Sequence, residues 1–518
     1  MLTPRSTRLL AALLALLAFA TARAEPIDFA GVNPADHTFD DWYLDTIDGR
    51  PAGYWRSWMA IDDGQIVSGY DEVGVETHGG ERMQTRTRVV WTETLAYQPL
   101  TIVVESDAGS DTVEQTYRFH DAGVELTSTQ NGRSITQQLP AIQGGYLTAA
   151  QQNIAVALHL KRGDKQFAYD TLDPLVGMKP FKTRYRRIGD KAEPVERADG
   201  TEADATAWAV TYDILPGFEM QMRIDAQARA VGLSYEIGGM KRVSRLADER
   251  VTQVKLDPPE MSQLSVVVPD RPIDKPNKQR KIVYELTYDA GDSAITPVQT
   301  AQQRVEVLGK NKVRVTVDLD AEPTRNDGSE QGETNDDTPA DAHLAASIMI
   351  DHEDEAVRKL ADRAARSLKK DATREQLALA CKRLVTKHLS AATLAVGDAT
   401  ASEAARTRRG DCTECAVLLA AILRAHGVPS RCVTGLVYSE DEFVGTANAF
   451  VYHMWTQAWI EDEQGVGRWL DLDAAMWRYT AGHIALGVSN MGDDDRADLI
   501  KLIPMMQGLK ISVKQTSE

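Results

Sequence analysis

Residues 408–438 read RRGDCTECAVLLAAILRAHGVPSRCVTGLVY, residues 449–462 read AFVYHMWTQAWIED, and residues 468–475 read RWLDLDAA. In the first stretch Val417, Leu418, Ala421, Ile422 and Ala425 recur at helical spacing. Gly427 then acts as a C-terminal stop, with Pro429 two residues beyond it. The helix therefore begins at Cys412, directly after Gly410 and Asp411. Its first turn carries unpaired N–H groups and the positive end of the dipole, both of which favour an anion. A thiol in such a position is disposed to ionise, and the thiolate is the nucleophilic form.

The second stretch alternates and is rich in aromatic and β-branched residues, which predicts a strand over 452–460 bearing His453. A loop over 461–467 returns the chain into a second strand, 468–472, with Asp473 at its end. His453 and Asp473 are thus expected on adjacent strands facing the Cys412 helix. A thiol, an imidazole and a carboxylate that orients the imidazole form a nucleophile–base–orienter triad. Asp471 competes for the orienter role, because strand alternation places it on the same face as Asp473.

Four blocks in this order resemble the transglutaminase-like family of papain-type cysteine enzymes. They are Gly410-Asp411-Cys412, the run from Arg424 through Gly427, Val428 and Pro429 to Arg431, His453-Met454-Trp455, and Trp469 through Asp473. The resemblance covers roughly residues 343–488. It implies that Cys412, His453 and Asp473 are the nucleophile, base and orienter, and it favours Asp473 over Asp471. One departure stands out: many bacterial relatives carry a histidine three residues after the nucleophile, where this chain has Cys415.

The 518 residues are too many for one core, so two or three domains are expected. A net charge of −18 argues against nucleic-acid binding and against wholesale attachment to anionic lipid. Arg5 and Arg8, the apolar stretch 9–20 and the small-x-small site Ala22-Arg23-Ala24 predict a signal peptide cleaved after Ala24. Export, most simply to a bacterial periplasm, is therefore expected. No later stretch is long and apolar enough to span a bilayer as a helix. All four cysteines (Cys381, Cys412, Cys415 and Cys432) lie in the C-terminal region. If Cys412 is a nucleophile it must stay reduced, which leaves three others and so at least one further unpaired thiol within the chain.

The expected fold class is α+β: an N-terminal antiparallel β-rich region followed by a core of helices packed on an antiparallel sheet. After the signal peptide, residues 25–270 form a β-rich domain, a half-open sheet or barrel with one helix over 149–160. Asn131-Gly132 marks a hairpin there. Residues 271–321 form a small β unit. The acidic, nearly apolar-free run 322–342 is a linker without the spacing of a calcium loop. Residues 343–518 form the catalytic domain, opened by apolar helical stripes over 354–368 and from a capping box at Thr373 and Gln376.

The expectation is an exported cysteine enzyme that acts on amide or peptide bonds of a protein or peptide, cell-envelope material included, with no cofactor and no metal. Two other classes stay open. Cys412 and Cys415 form a C-x-x-C pair at a helix start, as in thiol–disulfide proteins, although the polar, helix-prone run 401–409 is not the strand such proteins place upstream. A non-catalytic envelope scaffold is the other. Zinc held by Cys412, Cys415 and Cys432 or His453 lacks a second paired-ligand element. His483, in the segment Ala481-Gly482-His483-Ile484, resembles a recurring family segment and receives no role.

Overall fold

The computed structural model describes residues 27–518 apart from 79, 109–110, 131, 190, 216, 238, 262–265, 289–295, 322–338, 392–398, 443–444, 462–466, 477 and 493–507. The expected signal peptide and most of the expected acidic linker lie outside the described residues.

The α+β expectation holds, with an N-terminal β-rich region and a C-terminal region of helices and sheets. The first region is one 15-stranded antiparallel sheet. Its strands run as a meander from Phe39–Ile47 to Arg133–Pro140, and the hairpin expected around 131–132 is present, with Gln130 opposite Arg133. The chain then passes through helix α1 (Ala149–Arg162) and returns as further strands, from Gln166–Asp173 to Met240–Ala247. The last of these pairs with the first, Thr46 opposite Val243, so the two meanders fuse into a single sheet. Thr148 and Gln151 form a capping box at the start of α1, and the Ala150 N–H donates to the buried Glu93 carboxylate at 3.0 Å. Ile154 packs with Met59, Ile66 and Tyr97, while Val156 and Leu160 pack with Phe167 and Trp208. The helix therefore ties together strands from both meanders.

The strands that build two further antiparallel sheets are β1 (Val266–Val267), β2 (Lys281–Thr287), β3 (Gln303–Gly309), β4 (Lys312–Asp318), β5 (Ser430–Ser439), β6 (Ala449–Glu461), β7 (Gly467–Leu472), β8 (His483–Ser489) and β9 (Lys510–Ser517). One antiparallel sheet has the order β1-β6-β5-β8, with β7 also on β6. The other has the order β3-β4-β2-β9, so the C-terminal strand closes the small β unit. The two sheets share an apolar core, in which Ile282, Tyr284 and Val315 of one meet Leu436, Phe450 and Ile484 of the other.

Helices α2 (Glu355–Ala365), α3 (Arg374–His388) and α4 (Ala401–Thr407) gather around α5 (Cys412–Ala425). Every residue of α5 from Glu414 to Arg424 is buried, which explains why its sequence is apolar almost all round rather than on one stripe. Thr456 of β6 donates its hydroxyl to the Ala416 carbonyl at 2.9 Å, locking the helix to the sheet.

Candidate active site

The start of α5 is built by its cap. Asp411 is the N-cap, accepting the Thr413 N–H at 2.8 Å, and its own N–H donates to Glu414 Oε2 at 2.8 Å. The capping box also takes the Glu414 N–H, and the Cys415 N–H bonds the Asp411 carbonyl. Three of the four first-turn donors are thereby used, leaving the N–H of Cys412 itself. Gly410 is glycine for lack of room, since an added Cβ would lie 2.4 Å from Glu414 Cβ. Glu414 is almost fully buried, and burial followed by the neighbouring Asp411 carboxylate pushes its carboxyl up to about 8.

The far end of α5 explains the Arg-to-Arg block. The buried Arg424 donates to the carbonyls of Ala345 (2.6 Å), Ser430 (2.9 Å) and Asn490 (2.8 Å), fixing the helix end against three segments. Gly427 turns the chain at φ +69°, a conformation that favours glycine. Arg431 lies over the Trp469 ring at 4.1 Å and donates to Gln457 at 2.8 Å. This couples the turn after the helix to β6 and β7.

Cys412 is half-buried at the start of α5, His453 lies buried on β6, and Asp473 lies buried just past β7. The structure brings all three together. His453 Nε2 is 2.8 Å from Asp473 Oδ2, and Cys412 is close enough to His453 to influence its titration. Burial alone would lower the His453 pKa; the bond to Asp473 and the neighbouring Cys412 outweigh it and push the imidazole up to about 10. Burial likewise works to raise the Asp473 pKa, but His453 and His483 hold the carboxyl below the usual carboxylate range.

Asp471 and Asp473, left together by strand alternation, have different partners. Asp471 Oδ1 accepts from Trp455 Nε1 and Gln457 Nε2, each at 2.8 Å, and burial raises its carboxyl. Since β7 ends at Leu472, Asp473 leaves the alternation and turns its Oδ1 to the N–H groups of Ala475 (2.9 Å) and Met476 (2.8 Å).

A fourth residue joins the group. His483, 1% exposed, places its Nε2 2.9 Å from the same Asp473 Oδ2 that His453 holds. The sequence signal for it was the Ala481-Gly482-His483-Ile484 segment, which carried no chemistry until the fold placed it. The donor atoms of His453, Asp473 and His483 lie close enough to suit a metal ion. Their mutual hydrogen bonds account for the cluster in its present form. All four cysteines are free thiols, and burial pushes Cys381 and Cys432 up to about 12 and Cys415 higher still.

Residues 358–474 match the family model of the transglutaminase-like superfamily, so the helices and strands around Cys412 form a transglutaminase-like domain. No protein of curated function matches the chain. Among solved structures, the chain is similar to a β-barrel-like protein of the unknown-function domain DUF1849 from Brucella abortus. That likeness has 10% identity and a TM-score of 0.32, and covers 41% of this chain and 96% of the other. It is also similar to a candidate cysteine protease from Cytophaga hutchinsonii, with 14% identity and a TM-score of 0.26, covering 46% of this chain and 86% of the other. A candidate protease from Parabacteroides distasonis has 11% identity and a TM-score of 0.18, covering 74% of this chain and 69% of the other.

Proposed function

We propose that this protein is an exported cysteine acyl-transfer enzyme acting on amide or peptide bonds, with Cys412 as nucleophile, His453 as proton carrier and Asp473 as orienter. The observation that carries the reading is the buried His453–Asp473 hydrogen bond beside Cys412, which sits at the start of a buried helix. Asp473 occupies Nε2, which leaves Nδ1 for the sulfur. The imidazolium that this bonding favours stabilises an ionised sulfur beside it.

In the reaction the sulfur forms a bond to the carbonyl carbon, and the carbonyl π pair moves to oxygen. The Cys412 N–H left over by the capping box is the natural oxyanion donor. His453 gives its proton to the leaving nitrogen as the C–N bond breaks, and an acyl-enzyme remains. An incoming water or amine then loses a proton to His453, attacks, and releases the thiol. Water makes the enzyme a peptidase or amidase; an amine makes it a transglutaminase.

Among the described residues no helix is long and apolar enough to cross a membrane; the export in this reading rests on the signal segment ending at Ala24. In this reading the N-terminal sheet, from Phe39 to Ala247, holds or positions a protein or peptide substrate for the transglutaminase-like domain. Labelling with a thiol-reactive acyl probe, mapped by peptide, tests the central claim. Wild type should label at Cys412, and Cys412→Ala should lose the label while melting as wild type does. Equal labelling of the two would place the nucleophile elsewhere.

A further inference from the structure

We infer that His483 is a functional side chain of this site, a donor that shares Asp473 Oδ2 with His453 and positions that carboxylate's charge for it. The inference rests on the reading of Cys412 and His453 given above. Its ground is the sharing of one oxygen. His483 Nε2 lies 2.9 Å from Asp473 Oδ2, and an ionised carboxylate oxygen can only accept, so Nε2 directs a proton at it. On its other side the ring is held by Thr480, whose main-chain N–H (3.1 Å), hydroxyl (3.2 Å) and carbonyl (3.2 Å) all face Nδ1.

Asp473 is then bound on every side. Oδ1 accepts two main-chain N–H groups and Oδ2 accepts two imidazoles. Because the main chain holds Oδ1, the carboxylate does not swing when one imidazole is removed. What changes is the share of Oδ2 that each ring receives. With His483 present that oxygen is divided; without it, Oδ2 serves His453 alone and holds the His453 proton harder.

His483 is itself held. Its strand, β8, slips register against β5 between Thr434 and Gly435. The buried Gln303 of β3 repairs the slip by accepting the Ala485 N–H at 2.9 Å and donating to the Ala485 carbonyl at 2.7 Å. The Tyr479 ring lies 4.5 Å from the His483 ring. The other titratable groups facing the pair are Lys382 of α3, Cys412 and Cys415 of α5, and Asp471 of β7.

The test needs no substrate. Iodoacetate alkylates a thiolate, forming an S–C bond as iodide departs with the bonding pair, and its own carboxylate is drawn by the His453 charge. The rate at Cys412, read by mass spectrometry of its peptide in the full-length mature protein, therefore falls as His453 loses its proton. With His453 pushed up to about 10, the wild-type rate at pH 10 is expected at about half that at pH 8. His483→Leu and His483→Asn should raise that ratio to about nine-tenths, an upward move of on the order of one pH unit. His483→Gln, whose amide nitrogen reaches the Nε2 position, should restore the wild-type ratio, an outcome that packing alone would not produce.

A ratio unchanged or lowered in the Leu and Asn variants, or a Gln variant that behaves like Leu, overturns the inference. Should the Leu variant not fold, the Asn and Gln pair decides. Failure of Cys412 to react ahead of the three buried thiols would instead overturn the nucleophile assignment itself.

Discussion

Replacing Gly410 by alanine probes how the cap of α5 places the sulfur. The new Cβ would lie 2.4 Å from Glu414 Cβ and 3.0 Å from Cγ, where carbon atoms normally approach to about 3.5–4.0 Å. Glu414 Cβ is fixed to the helix backbone, so no rotamer change relieves the contact. The first turn must move by roughly 1 Å, or the bond from the Asp411 N–H to Glu414 must break. Overpacking of this kind costs about 1–3 kcal/mol and loss of the cap about 1 kcal/mol, so a destabilisation of about 2–4 kcal/mol is expected. A displacement of the nucleophile by about 1 Å should also slow Cys412 chemistry roughly 100-fold. Urea unfolding gives the first figure, and iodoacetate alkylation of Cys412 gives the second. Gly145→Ala, where an added Cβ meets nothing within 4 Å, is the control and should be near neutral. A Gly410→Ala protein with wild-type stability and wild-type alkylation would refute the argument.

Asp473→Asn should lower turnover by about 10⁴-fold, because the amide leaves the imidazole in the wrong tautomer, whereas Asp471→Asn should do little. Asp471 faces Trp455 and Gln457 rather than His453; the reverse ranking in steady-state turnover would show that the wrong carboxylate has been chosen. Cys412 and Cys415 lie three apart in the first turn of α5, yet burial pushes the Cys415 thiol up and works against its attack on an oxidised partner. Wild type and Cys415→Ser should therefore lose alkylation at the same potential in a redox titration, and a Cys412–Cys415 disulfide in the peptide map would refute this.

Much of the catalytic region was legible in the sequence because its signals are local. The capping box at Thr373, the stop at Gly427 and the alternation around His453 each lie within a few residues. β5 and β8 gave no such signal. SRCVTGLVYS and HIALGVS are buried almost throughout, so they lack the alternation that marks a half-buried strand. His483 sits at the head of β8, and its meaning comes from Asp473 and Gln303, which the fold delivers from elsewhere. The preference for Asp473 over Asp471 came from the family register, because the end of β7 at Leu472 cannot be seen in an alternating sequence. In the N-terminal region the hairpins were readable, but their fusion depends on Phe39–Ile47 finding Met240–Ala247, a pairing no local pattern encodes.

The strand that closes the second sheet comes after the whole catalytic core in chain order. β2 is synthesised before the helices that carry Cys412, yet its edge waits for residues 510–517, with Lys281 finally opposite Ser517. The apolar core under Leu436, Phe450 and Ile484 is shared with that sheet, so the wall behind His483 is complete only with β9 in place. A newly made chain would thus leave this sheet open until residues 510–517 have emerged and paired. The same closure acts after maturity. A protease that nicked the acidic stretch between 322 and 338 would release nothing, because the severed halves would stay zipped along β2 and β9.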